Sequence, residues 1–447
     1  MAAIADSTAL ARRVWRKSGL KTRWKSWRLD QLIAEWSALC AHLKAPAAQA
    51  GAPETILFIP PDMMLLVASR GDEAMISVLQ REMRERFPEA RQFVLTHGAQ
   101  ASAQARSLGM RPIEIRHEGK LAQALKLCLD QHVTHCITIG ADVLDGSYDP
   151  VFSAELLALT DLLARSGVHC AVNGFSFSDR PFPGLAQLYE GFSRNVVFNL
   201  RDPVSFERFR RFSSATARLT ADAAFLLPPA NALEGVGDFD GWINSRKAAG
   251  REIVGINIHP LLLELEQRER VPELCAAFSR VLEKLALDRP LAFVLLEHDF
   301  RGSSSDYHCI DRVEDQLRAT ISPLVYRFPR ELKAAEVKRV VGVLDGVITG
   351  RMHLSIATLG AGVPVFLIDY KAKMEGLLQH FELDREMRLP ACVLFDEEGT
   401  RLALLRFLAA LPALRAQVVR RLPAVKALAH ANLDAVLDPQ ATAAARH

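Results

Sequence analysis

Short, β-branched apolar runs alternate with longer stretches in which apolar residues return at helical spacing, from about residue 56 to residue 369. ILFIP (56–60) precedes GDEAMISVLQREMRERF (71–87), which carries its apolar residues on one helical face and its charges on the other. FVLTH (93–97), a helix around 119–131, HCITIG (135–140), a helix around 151–166, HCAVNGFS (169–176) and NVVFNLRD (195–202) continue the pattern. Strands separated by helices imply a parallel sheet with right-handed crossovers, hence a Rossmann-like unit. A second series follows the turn-rich LPPANALEGVGDFDG (227–241). It runs through IVGINIHP (253–260), a helix around 271–286, AFVLLEH (292–298), a helix around 306–320, LVYRF (324–328) and a helix around 330–340. GVITG (346–350), the helix after it and PVFLID (364–369) complete it. The Ala/Leu-rich end, residues 400–437, reads as helix with a proline break.

The pattern predicts an α/β fold of two Rossmann-like domains facing a cleft, with helical extensions at both termini. The chain divides into a basic amphipathic N-terminal extension (1–50), an N-terminal Rossmann-like domain (51–240) and a C-terminal Rossmann-like domain with terminal helices (241–447). A length of 447 residues agrees, because it exceeds what one core usually holds. Hydrophobic residues at 49% and charged ones at 24% suit a globular protein, and a formal charge of +3 gives no global field that would select nucleic acid as partner. Seven cysteines without a CxxC or a Cys/His cluster read as reduced thiols, and no metal site is expected. No uninterrupted apolar run has membrane-spanning length, and no apolar segment of a secretion signal follows the first basic residues. The expected location is therefore cytoplasmic, or peripheral at the inner face of the membrane.

That second alternative comes from RRVWRKSGLKTRWKSWRLDQLIAEW (12–36), where basic residues interleave with Trp15, Trp24 and Trp27. Such a stretch fits a peripheral membrane contact through residues 10–30, and equally a solvated helix whose tryptophans pack on the body of the protein. KAPAAQAGAPET (44–55) marks a linker after it.

In an open parallel sheet, ligands sit at the carboxyl ends of strands, against the first turn of the following helix. TGRMH (349–353) occupies that place with Arg351, a planar fork for phosphate or carboxylate, and His353, a proton carrier near neutral pH. The next strand delivers Tyr370, Lys371 and Lys373 to the same edge, and NVVFNLRD ends in Arg201 with Ser205 suited to a helix start. Arg201 and Arg351 facing each other would hold a small, multiply anionic ligand. A capping arginine and a core histidine would give the same Arg-x-His. Gly71 and Asp72 open a helix against the cleft or serve as an ordinary helix start; Asp142 and Asp145, at a strand end, suit a metal or sugar hydroxyls, and turn chemistry explains them equally well. His259 and His298 end strands without metal-ligand company.

These residues resemble the polysaccharide pyruvyl transferase family. GRMHLSIATLGAGVPVFLIDYKAKMEGL is similar to the family's Arg-x-His helix, glycine-x-proline, strand and Tyr/Lys. SRGDEAMISVLQREMRERFPEA, GADVLDG, NLRDPVSFERF and TADAAFLL resemble its other motifs, in order, over roughly residues 56–385. The chain departs at Ala141, where a second glycine is often found, and in PPDMMLLVAS (60–69), which is more apolar than usual. The resemblance implies a GT-B-like pair of Rossmann domains, no cofactor, phosphoenolpyruvate as co-substrate, and an acceptor sugar in a surface polysaccharide or its lipid-linked precursor. Two hydroxyls of that sugar become bridged as a pyruvate ketal. His353 would transfer protons, Arg201 and Arg351 would hold phosphate and carboxylate, and Lys373 would neutralise the departing phosphate. A nucleotide-sugar glycosyltransferase and a non-catalytic anion-binding relative share the architecture.

Overall fold

Strands buried on both faces need no polar alternation, and TILFI, HCITIGA and LAFVL are accordingly buried at every position. The computed structural model describes residues 20–43, 54–115, 121–235, 237–370 and 374–437. It contains two all-parallel sheets. The first has β1 (Thr55–Ile59), β2 (Arg91–Thr96), β3 (Arg111–Glu114), β4 (His135–Ala141), β5 (His169–Phe175), β6 (Val197–Leu200) and β7 (Ala217–Leu219), in the order β3-β2-β1-β4-β5-β6-β7. The second has β8 (Glu252–Asn257), β9 (Leu291–Leu295), β10 (Val325–Arg327), β11 (Gly346–Thr349), β12 (Val365–Asp369) and β13 (Arg388–Pro390), in the order β10-β9-β8-β11-β12-β13. Strand order reverses between β1 and β4 in one sheet and between β8 and β11 in the other. These are the two crevices where a doubly wound sheet can receive a ligand.

The pattern misses β3, β7 and β13, whose sequences RPIE, ARL and RLP are short and only partly buried at the sheet edges. It also expects a break in the C-terminal helix, where the structure has one helix, Glu397–His430, with Pro412 and Pro423 inside it. Packing overrides the local cost of the prolines: Phe407 and Leu411 lie over Gly346 of β11, and the Phe407 ring sits 5.6 Å from that of Phe366. This helix is long and apolar enough to cross a membrane, but Arg406 and Arg415 interrupt the run and Leu404, Phe407, Leu408 and Leu411 are buried in the protein. The chain then returns to the first sheet. Asn432 donates to the Ala221 carbonyl at 2.6 Å and its own carbonyl accepts from Asn199 at 3.1 Å. Residues around Asn432, grouped with the second half by the sequence pattern, thus touch the first.

The N-terminal helix Leu20–His42 lies on the helix Pro150–Arg165, burying Leu29, Leu32, Ile33 and Trp36. Trp36 Nε1 donates to Asp161 at 2.8 Å. Trp24 and Trp27 instead remain 47% and 55% exposed, and Trp15 lies outside the described residues. Residues 44–53 of the proposed linker and residues 119–120 of the expected helix, which the structure describes from Leu121 to Leu129, also lie outside them.

Backbone contacts join the two halves at their carboxyl edges. Ser69 forms an isolated antiparallel bridge with Asp299, the Arg70 N–H donates to the His298 carbonyl at 2.9 Å, and the Phe300 N–H donates to the Ala68 carbonyl at 2.9 Å. On the other side of the cleft Gly376, in the helix Glu375–His380, rests on Asp202, the N-cap of the helix Pro203–Phe212. A Cβ on Gly376 would stand 1.9 Å from Asp202 Oδ1. Gly376→Ala is therefore expected to cost about 1–3 kcal/mol and lower the melting temperature by several degrees. A thermal melt unchanged from the parent would show that this contact is not tight.

Candidate functional site

The two crevices open on one cavity of about 430 Å³. From the first half it is lined by Ser69, Asp72, Asp142, Tyr148 and Arg201, and from the second by Arg268, His298, Asp299, Arg301, Arg351, His353 and Tyr370.

Arg351 and His353 leave the β11–helix junction in different directions. Arg351 is the N-cap of the helix Met352–Gly360 and has extended backbone, φ −95° and ψ 120°. Its guanidinium turns back into its own domain. Nε and Nη2 donate to Asp306 Oδ1 at 2.9 and 2.6 Å, Nη2 also donates to the Ser304 carbonyl at 2.6 Å, and Nη1 donates to Asp299 Oδ2 at 3.2 Å. Buried polar groups continue the network: Asn257 donates to Asp306 Oδ2, and Thr349 links Asn257 to the Arg351 N–H. Four of the five guanidinium N–H groups are thus spent on the protein. The expectation that Arg351 is a free clamp for an anion is corrected: it lines the cavity chiefly as the tie that fixes the junction.

His353 crosses to the other half. Its Nε2 lies 3.2 Å from Arg201 Nη1 and 3.4 Å from Asp222 Oδ2, and the same Arg201 nitrogen donates to Asp222 at 3.0 Å. Arg201 Nε is held by Ser176 at 2.7 Å, and among the described residues Nη2 has no hydrogen-bond partner. Burial alone would raise the Asp222 carboxyl, but His353, Arg201 and the Ala224 N–H outweigh it and hold it down to about 2. Asp222 is therefore a permanent anion against the imidazole.

The other face of the His353 ring explains Gly71. A Cβ on Gly71 would meet His353 Nδ1 at 2.2 Å, so only glycine lets the start of the helix Arg70–Arg86 approach. Ser69 is the N-cap of that helix, and Asp72 sits in its first turn. Asp72 is buried, 3.5 Å from Arg301 Nη1, and its Oδ2 has no hydrogen-bond partner. Burial pushes its carboxyl up to about 6, against the pull of Arg301 and His353. Asp72 is thus able to change protonation near neutral pH.

Asp142 and Tyr370 also line the cavity. Tyr148 donates to Asp142 at 2.8 Å, and burial beside Asp142 pushes the Tyr370 hydroxyl up to about 12, so it stays a neutral donor. Ala141, in the place where the resemblance has glycine, adopts φ +45° and bears the backbone strain a glycine would avoid. Asp145 is a turn residue, accepting from the Ser147 and Ser178 N–H groups. Ser205 is corrected as a cleft residue: its N–H and hydroxyl both bond to Asp202 and it does not line the cavity. Lys371 and Lys373 lie outside the described residues.

Four residues of this site have no role in the sequence pattern. Asp222 stands in TADAAFLL, three residues past the end of β7, and because the pattern misses that strand it gives no strand-end signal there. Asp299, Arg301 and Asp306 come from HDFRGSSSD, a polar stretch at the end of β9 that the same strand-end rule would have found.

The two-sheet arrangement is that of GT-B-type glycosyltransferases and epimerases. A glycosyltransferase from Rickettsia africae superimposes with a TM-score of 0.51 at 12% identity, over 85% of this chain and 97% of that one. A UDP-GlcNAc 2-epimerase from Neisseria meningitidis bound to UDP-GlcNAc gives 0.51 at 10%, over 86% and 99%. A ugt transferase from Siraitia grosvenorii in complex with UDP gives 0.50 at 11%, over 86% and 100%. At such identities the likeness concerns the fold. No curated protein sequence matches the chain. The family model for polysaccharide pyruvyl transferase matches residues 70–372, and the chain belongs to that family.

Because the folded pKa of Asp72 is raised from 3.8 to about 6, the folded state holds this proton more tightly than the unfolded chain. Its contribution is intact below about pH 4 and is lost as pH rises through about 6. Asp72→Asn is expected to melt above the parent at pH 8, by up to about 3 kcal/mol, and close to it at pH 4. Thermal melts across pH check this, and the reverse ordering would sink the assignment.

Proposed function

We propose that the protein transfers the pyruvyl group of phosphoenolpyruvate to two hydroxyls of a glycan, forming a pyruvate ketal and releasing phosphate. Family membership supports the reaction class. The observation that carries the chemistry is the meeting of His353 from one half with Arg201 and Asp222 from the other at the cavity wall. His353 protonates the methylene carbon of the enol, leaving cationic character on the carbon that bears phosphate. One sugar hydroxyl adds there and returns its proton to the imidazole. Phosphate departs, and the second hydroxyl closes the ketal while its proton leaves with phosphate. Asp222 steadies the imidazolium, and Arg201 presents its unspent Nη2 to an anionic end of the donor. Lys373 follows Tyr370 closely enough in sequence to serve the departing phosphate.

His353→Ala should lose about 10² to 10⁴ in turnover in protein that still melts cooperatively above the assay temperature. Turnover is read as phosphate release together with a pyruvate-sized mass gain on the glycan. Near-normal turnover would remove His353 from proton transfer, and the same loss in Asp72→Asn alone would move that role to Asp72. The second reading, transfer from a nucleotide sugar, is favoured by the fold shared with UDP-bound proteins. Supplying both donors with one glycan separates the two by which is consumed.

For the acceptor, exposed Trp24 and Trp27 on a helix with Arg23, Lys25 and Arg28 support peripheral contact with an anionic membrane carrying a lipid-linked glycan. Replacing both tryptophans by alanine is expected to reduce co-sedimentation with anionic liposomes by several-fold; equal sedimentation would leave that helix a solvated surface.

A further inference from the structure

Among the described residues, three of the four arginines that line the cavity are already taken by carboxylates. Arg201 faces Asp222, Arg351 faces Asp299 and Asp306, and Arg301 faces Asp299, Asp72 and Asp62. Five carboxylates surround three guanidinium groups, two negative charges in excess when all are ionised and one when Asp72 keeps its proton. That wall on its own repels a phosphate dianion rather than attracting it. A ligand with two anionic ends needs positive charge from elsewhere.

Arg268 has that charge. It lies on the segment Leu265–Arg270, which follows β8 at the crevice of the second sheet, and it lines the same cavity. Its Nε is shielded from water, and among the described residues its guanidinium has no hydrogen bond and no ion pair. A buried guanidinium nitrogen without an acceptor is costly unless a ligand supplies one. A second side chain with unmet hydrogen bonds lines the cavity. His298, at the end of β9, is 4% exposed, and neither of its ring nitrogens has a partner. Burial, with His353 and Arg351 nearby, holds its pKa well below the ordinary histidine value. It is therefore a neutral ring with one N–H to donate.

We propose that Arg268 and His298 form the oxyanion subsite of this cavity, Arg268 supplying the charge that the paired arginines lack and His298 an uncharged N–H, with the donor's phosphate as the occupant. This deepens the donor assignment above, leaving Arg201 Nη2 for the carboxylate, but it requires only that the cavity binds the donor. Recognition by one unpaired arginine also gives the binding its own salt dependence.

The test is calorimetric titration of the full-length protein with inorganic phosphate and with phosphoenolpyruvate. Arg268→Gln should weaken both at least about tenfold, within the range of a charged hydrogen-bond pair, and should flatten the dependence of affinity on ionic strength. Arg268→Lys should recover part of the loss, and His298→Gln should weaken both several-fold. Arg270→Gln, which removes an exposed arginine paired with Glu273, should leave both unchanged. Melting temperatures of the Arg268 variants should not fall below the parent's, because among the described residues no hydrogen bond or ion pair of the guanidinium is lost. Equal affinities in Arg268→Gln and the parent would overturn the proposal, as would a parent that binds neither probe. Loss of phosphoenolpyruvate binding with phosphate binding intact would place Arg268 on the carboxylate and overturn the phosphate assignment. Simultaneous binding of both probes would give the subsite to a phosphate on the acceptor and overturn the donor assignment. If Arg268→Gln loses both probes while the parent forms no ketal, the subsite stands and pyruvyl transfer falls.

Discussion

An imidazole lying on a bare Cα sets the separation of the two halves. His353 reaches Arg201 and Asp222 only because Gly71 offers no side chain beneath its ring. The contacts that cross the cavity depend on that closeness, whereas Arg351 with Asp306 and Arg201 with Asp222 pair inside their own halves. At this spacing Arg301 of one half reaches Asp72 and Asp62 of the other, and Asp222 is shared between Arg201 and His353. The site is thus a property of the interface, and neither sheet alone contains it.

Much of the fold can be read from the amino-acid pattern because parallel strands buried on both faces are continuous apolar runs. HCITIG and AFVLLEH declare themselves in that way. The edge strands RPIE, ARL and RLP do not, since a strand bonded on one side and half wet needs little apolar character. The position of the site was equally legible, from strand ends and the helices that follow them. The partners of its residues were not. Arg351 and His353 are two positions apart, yet one turns to Asp306 and the other to Arg201, 45 and 152 residues away in the chain. Ser205 has the same ambiguity in reverse: a hydroxyl near a strand end can face a ligand, but here it completes the start of its own helix.

The polar residues at the β11 junction also have a mechanical reason. Asn257, Thr349, Asp306 and Arg351 satisfy one another inside a region with little water, linking the ends of β8 and β11 to the loop after β9. A half-satisfied network there would be costlier than an apolar one, and a complete one fixes geometry that hydrophobic packing leaves loose. His353 is presented to the opposite half from this rigid base.

The return of the chain at Asn432 restricts how the cleft can move. The polypeptide passes between the halves once between Leu226 and Phe239 and again after His430. The first passage is a covalent connection, and the second ends in hydrogen bonds of Asn432 with Asn199, Thr220 and Ala221, so any opening of the cleft has to carry that docked end along or break it. The last turns of the chain thus act on the cleft from a distance, through a side chain that bonds the first half and does not line the cavity.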